Sequence, residues 1–495
     1  MPDQPSRLRA TAKTPGLGEA RRGAEDAKAR TRQSLSEQGP AATSFPVDDV
    51  RRRFPALERA GRFLFFDNAA GAQIPATVLE AVTDHLLARN VQRGGPYRHS
   101  REVDAIIGRA RESVAAFVNA RSADEIAFGL NATSFIRAIS LAVGQTLESR
   151  PEIIVSDLDH EANVATWLAL ERVGARIVWW RARVGDDGAR LHAADLEPLL
   201  TERTRLVACT MASNATGSLV DVADVARRAH EVGAEAFLDA VHYAPHGSID
   251  VRALDCDYLV CSGYKVFAPH MGFAWCRREA INHLPIFRED FIPDVTPDKL
   301  EAGTYAYESV AGMAAAVAYL EDLGRDFLAH PGADTRGRSS DPNYAGADAN
   351  VGPARDHVGP DPRVGAAASR AETVRLAMHT IAEYERALSK RLLDEVASIP
   401  GVTVHGVTDR DHLHERVPTL CFSVAGHRAS TVAAGLASRD VGVRSGHMYS
   451  PRLMARLGLL PAGAVRASLV HYNTAAEIAQ FGAALREVVD TPDES

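Results

Sequence analysis

The chain has 495 residues, 46% hydrophobic and 24% charged, with a formal net charge of -8. That length and balance describe a soluble globular protein with room for one large and one smaller core, and the mild acidity disfavours nucleic acid or an anionic membrane surface as a main partner. No apolar run approaches membrane-spanning length, and Cys209, Cys256, Cys261, Cys276 and Cys421 form no CxxC pair and mostly sit in apolar runs, as reduced thiols of a cytoplasmic protein do.

Residues 1–44 are rich in Ala, Arg, Gly, Ser and Pro without apolar periodicity, so a disordered tail is expected there, not a signal or transit peptide. From 45 to 328 short apolar runs alternate with amphipathic stretches. Asp124–Phe128, Glu152–Val155, Ala175–Trp179, Arg205–Cys209, Glu235–Leu238, Tyr258–Cys261 and Gly272–Cys276 read as strands, and Val222–Val232 as a helix. The rhythm predicts an α/β three-layer sandwich, a mostly parallel central sheet with helices on both faces. Ligands of such sheets bind at the carboxyl ends of the strands. Residues 329–368 are polar and rich in Gly and Pro, an expected insertion or linker. Residues 369–495 then read as a smaller C-terminal α/β domain. Its elements are a helix over Glu372–Ala397, strands at Thr403–His405 and Thr419–Val424, a helix near Thr431–Ser438, and a last strand and helix. The first segment of the large domain is expected to pack with this small one.

The residue with the most chemical content is Lys265, which follows the apolar run Tyr258–Cys261 and the turn Ser262-Gly263. A lysine held beside apolar residues loses hydration, which disfavours its ammonium and leaves a nucleophilic amine. One standard use of such an amine is a Schiff base with pyridoxal phosphate (PLP), with an Asp or Arg facing the pyridine nitrogen. Another apolar run ends in an acid, Asp239, with His242 three residues on. The plainer alternative for Lys265 is a solvated strand tip.

The ordered set Phe66-Asp-Asn-Ala-Ala-Gly71, Phe117–Phe128, Ser213-Asn-Ala-Thr-Gly217, the Asp239 segment, Ser262-Gly-Tyr-Lys265, Glu301-Ala-Gly-Thr304 and Arg466-Ala-Ser resembles class V, fold type I PLP enzymes over about residues 47–489. The nearest group is the cysteine desulfurases and the desulfurase-like proteins around them. The resemblance implies that Lys265 carries the Schiff base and moves protons at the substrate Cα, and that Asp239 pairs with the pyridinium nitrogen. It implies that His160 stacks on the pyridine ring and that Asn214 and His242 lie near the phenolic oxygen. Asn131, Ala132 and Thr133 match a helix start that holds the phosphate, with Ser262 as a side-chain ligand and Tyr264 in place of the usual His. Thr304 matches a residue given by a partner subunit, which implies a homodimer with shared sites. Arg466 matches the arginine that grips the α-carboxylate of a small amino-acid substrate. Tyr97, Arg98 and His99 fall where related enzymes have a substrate-facing loop; a structural turn is the other reading. Local roles also exist for several of these: a turn or capping acid for Asp239, a loop histidine for His160, a surface strand residue for Arg466 and an N-cap for Asn131.

One stretch departs from the pattern. Desulfurases of this type carry a persulfide-forming cysteine close to the place of Tyr449, and here no cysteine follows Cys421. Carbon–sulfur bond cleavage without a protein thiol is therefore the leading chemistry. The alternatives are a class V aminotransferase, an epimerase in which Tyr264, Tyr305 or His447 competes with Lys265 as proton donor, and a non-catalytic binding protein. His412-Leu-His414 lacks ligand partners at suitable spacing, so no metal is expected.

Overall fold

In the computed structural model, residues 45–185, 188–329 and 368–491 are described. The expected tail and nearly all of the expected insertion lie outside them. In chain order the strands are β1 (Leu64–Phe65), β2 (Ile126–Gly129), β3 (Glu152–Ser156), β4 (Arg176–Trp180), the mutually paired β5 (Arg183–Gly185) and β6 (Gly188–Arg190), β7 (Thr204–Thr210), β8 (Glu235–Asp239), β9 (Tyr258–Ser262) and β10 (Gly272–Cys276). After the break come β11 (Val402–His405), β12 (Thr419–Val424), β13 (Val441–Gly442), β14 (Arg444–Gly446) and β15 (Ala464–Ser468).

Seven strands form the central sheet in the order β2-β10-β9-β8-β7-β3-β4. β4, β3, β7, β8 and β9 are parallel. β10 is antiparallel to both neighbours, so β2 points the same way as the rest. Successive side chains alternate between faces, and here both faces are covered. Ile154, Val207, Leu238 and Leu259 enter one apolar core, while Ile153, Val155, Leu206, Phe237 and Val260 enter another. Two buried faces are why these strands read as unbroken apolar runs.

A four-stranded antiparallel sheet, β11-β12-β15-β14, is built from the C-terminal third. The helices Arg370–Ala397 and Ala475–Val489 cover it with Leu388, Leu392, Val396, Phe481 and Leu485, and Leu64 and Phe66 join the same core. β1 pairs in parallel with β13, far along the chain, with Leu64 opposite Val441. Two boundaries differ from expectation for local reasons. Asp124 and Glu125 sit in a 3₁₀ turn capped by the Ser122 hydroxyl, which delays β2 to Ile126. The long helix starts at Arg370 because Ser369 and Glu372 form a reciprocal capping box. Among the described residues no helix is long and apolar enough to cross a membrane.

Candidate active site

Because β2 runs with β3, β7, β8 and β9, their carboxyl ends deliver residues to one edge of the sheet. A pocket there has about 420 Å³ of empty volume, part of it open to solvent, and is lined by Ala132, Thr133, His160, Asn214, Asp239, His242, Ser262, Tyr264 and Lys265. Residues expected together from distant parts of the sequence are thus brought together.

Lys265 is buried in a 3₁₀ turn after β9, its ammonium 5.9 Å from the Tyr264 ring centroid. Burial, reinforced by Arg466 and opposed by Asp239, lowers its pKa to about 8. It is not a solvated strand tip. Asp239 ends β8; burial raises its carboxyl above the ordinary value, while the Val241 amide, donating to Oδ1 at 2.9 Å, and Lys265 act against that shift. Burial, then Lys265 and Arg466, push His160 down to about 4, so its ring is neutral. Its Nδ1 accepts the Ala162 amide at 3.0 Å, which places the proton on Nε2. The loop carrying it is fixed from behind by Asp159, which binds Asn163, which in turn accepts from the Trp167 indole.

His242 joins the two sheets, its Nε2 lying 3.0 Å from the Thr419 hydroxyl of β12. Its Nδ1 is buried without a hydrogen-bond partner. Asn131 caps the Ala132–Val143 helix, its side chain accepting the Ser134 amide at 2.9 Å. Its carboxamide oxygen therefore serves the helix, and it does not line the pocket. Ser262 Oγ accepts the Ala132 amide at 3.1 Å, tying that helix start to the end of β9. Gly272 is required nearby, because a Cβ there would lie 2.6 Å from the Asn131 backbone.

This donor set fits PLP. The pocket offers a primary amine, a buried carboxylate for a ring nitrogen, a flat neutral ring, an unpartnered buried His242 nitrogen, and a helix N-terminus with Ser262 for an anion.

Arg466 is 2% exposed, which removes the surface reading. It donates to the Asn214 carbonyl and to Asp67 Oδ1, each at 2.8 Å. Asp67 also accepts from Arg444 at 2.8 Å, so one carboxylate holds two guanidinium groups. This sharing is not visible in the sequence, although Asp67 lies in the run Phe66–Gly71. Thr304 accepts from the Gln92 side chain, Tyr97 precedes the Arg98–Val118 helix, and Arg98 pairs with Glu102; none of the three lines the pocket. Tyr305 donates to buried Glu301 and lies outside the lining as well. All five cysteines are buried, and burial pushes Cys421 up to about 12.

A mostly parallel sheet with a buried lysine at a strand end is the architecture of fold type I PLP enzymes. The chain belongs to the class V aminotransferase family, whose pattern it matches over residues 64–334 and 362–481. It is 33% identical over 458 residues to an aminotransferase-like protein of Gibberella zeae, FGM3, covering 91% of this chain and 100% of that one. It is 32% identical to a cysteine desulfurase of an Enterobacter species, covering 90% and 98%. The crystal structure of the Escherichia coli cysteine desulfurase CsdA superposes with a TM-score of 0.70 at 26% identity, covering 90% of this chain and 99% of that one.

Proposed function

We propose that the protein is a PLP-dependent carbon–sulfur lyase that acts on an amino acid and releases the sulfur fragment without a cysteine acceptor. The observation that carries this reading is a pocket that joins Lys265, Asp239, His160, His242 and Ser262 with no cysteine in its lining, all five cysteines being buried with raised pKa. Bound PLP supplies an electron sink for the Cα carbanion.

The chain supplies the rest. Lys265 holds the cofactor and, as a neutral amine, takes the Cα proton at Nζ. Asp239 would pair with the pyridine nitrogen of a bound PLP and keep it protonated. Neutral His160 would cover the ring without competing for that proton. Asn214 and His242 Nδ1 would serve the phenolic oxygen, and the Ala132–Thr133 helix start with Ser262 and Tyr264 would hold the phosphate, Asn131 acting through the cap. Arg466 receives the substrate carboxylate, with Asn214 beside it. Thr304 would join the site only from a second subunit, so this reading includes a homodimer, placed in the cytoplasm, with Tyr97 and Arg98 kept as substrate-loop residues. The domains assigned are 45–328 for the cofactor and 369–495 for the smaller unit. Of the donors an epimerase could use, Tyr305 is engaged by Glu301 and lies outside the pocket lining, so that second reading rests on Tyr264 or His447.

The test is incubation of purified protein with S-substituted cysteines, following thiol, ammonia and pyruvate. Equal yields that vanish in Lys265→Ala support the lyase. A keto acid that keeps the thioether, with the amino group passed to a second substrate, moves the assignment to an aminotransferase.

A further inference from the structure

Met448 and Tyr449 both occupy the left-handed backbone region, with φ of 52° and 57°. Non-glycine residues keep that conformation only where their surroundings enforce it, and such points cluster at ligand sites. Here the enforcement comes from the pocket wall. The Asn214 side chain donates to the Met448 carbonyl at 2.6 Å and accepts from the Ser450 hydroxyl at 2.9 Å. The Glu161 amide donates to the Tyr449 carbonyl at 2.8 Å, and the Tyr449 amide to His447 Nδ1 at 3.1 Å. The turn buries Met448 and leaves Tyr449 55% exposed, its ring centroid 5.8 Å from that of His160 at an interplanar angle of 35°. A large aromatic residue is thus held in the open beside the ring that lines the pocket.

With the substrate carboxylate of the proposed reading counted, the charges around it balance. Arg444 is paired with Asp67 and Arg452 with Glu161. His160 is neutral, and His447 accepts at Nδ1, so that nitrogen carries no proton. Arg466 shares Asp67 with Arg444, and in the proposed reading the substrate carboxylate balances the second guanidinium. What faces the substrate side chain is therefore aromatic and has no net charge.

We propose that Tyr449 is the specificity-determining residue, its ring forming the outer wall of the substrate pocket and selecting amino acids with an uncharged, apolar side chain, such as S-alkyl or S-aryl cysteines. The proposal rests on the lyase reading for the sulfur atom, and on the PLP reading for its assay.

The test titrates S-benzylcysteine, S-carboxymethylcysteine and alanine into the PLP-loaded protein and follows the cofactor's visible absorption, in wild type, Tyr449→Phe and Tyr449→Ala. In wild type and Tyr449→Phe, S-benzylcysteine should bind about tenfold more tightly than S-carboxymethylcysteine, the scale of one aromatic contact. Tyr449→Ala should lose about tenfold for S-benzylcysteine and almost nothing for alanine. Equal losses for all three ligands, no loss, or a wild-type preference for the carboxymethyl compound overturns the assignment of Tyr449 and leaves the PLP reading intact. A wild-type spectrum that answers to no amino acid overturns both.

Discussion

Replacing Asp67 by asparagine keeps its shape and removes the one charge that faces both Arg444 and Arg466. The Arg444 side chain is 38% exposed, so its pair with Asp67 contributes about 0.5–1 kcal/mol. The Arg466 side chain is 2% exposed, and without Asp67 it keeps the Asn214 carbonyl while its Nε already lacks a partner. Stranding a buried charge costs about 3–5 kcal/mol, and the 24% exposure of Asp67 lets water soften this to about 2. The expected total for Asp67→Asn is therefore about 3 kcal/mol, most of it from Arg466. Urea unfolding of wild type, Asp67→Asn, Arg444→Met and the double variant separates the two shares. In the Arg444→Met background the Asp67→Asn loss should remain near ~2 kcal/mol. A loss that disappears in that background would mean that Arg444 is the real partner, and the argument from burial would be wrong.

Three other outcomes follow from the site. With Lys265 at about 8, the reactive neutral amine fills in as pH rises, so PLP uptake by cofactor-free protein should accelerate from about pH 7 to 9 and level off above; a flat profile refutes the lowered value. His160 is held at about 4 and His471 at about 3, both below the ordinary 6.5. Unfolded chains then bind more protons below about 6.5, so stability is fully present above that pH and is lost as pH falls toward 4, by up to about 1.4 kcal/mol per unit for each histidine. Equal urea midpoints at about pH 7.5 and 5 would contradict this. Finally, a thiol reagent should label none of the five cysteines in the native protein and all five after denaturation, and native labelling of even one would reopen the case for a protein thiol in the reaction.

The central sheet was legible because its strands are buried on both faces, which leaves runs such as Glu152–Val155 without polar interruption. Lys265, Asp239 and His160 were legible because each lies at, or a few residues beyond, the carboxyl end of a strand, where chain order and spatial order agree. Asn131 was ambiguous: its cap depends on Ser134 three residues later, a signal present in the sequence and equally compatible with a phosphate loop. Arg466 was ambiguous for a different reason. A residue on β15 is interior only because β12 and β14 flank it, and strand order is not written locally. Asp67 escaped assignment altogether, because its partner lies 399 positions away and no short pattern links the two.

That separation also sets a schedule for making the protein. At about 5–20 residues per second, a ribosome needs roughly 20–80 s between emitting Asp67 and emitting Arg466. For most of that interval β1 has no β13 to pair with, and throughout it the Phe66 side chain has no Phe481 to stack on. Lys265 and the other residues of the pocket emerge well before Arg466. A nascent chain can therefore fold the sheet that carries Lys265 while it still lacks Arg466, and the seam around Asp67 is completed only when the C-terminal strands close over the first.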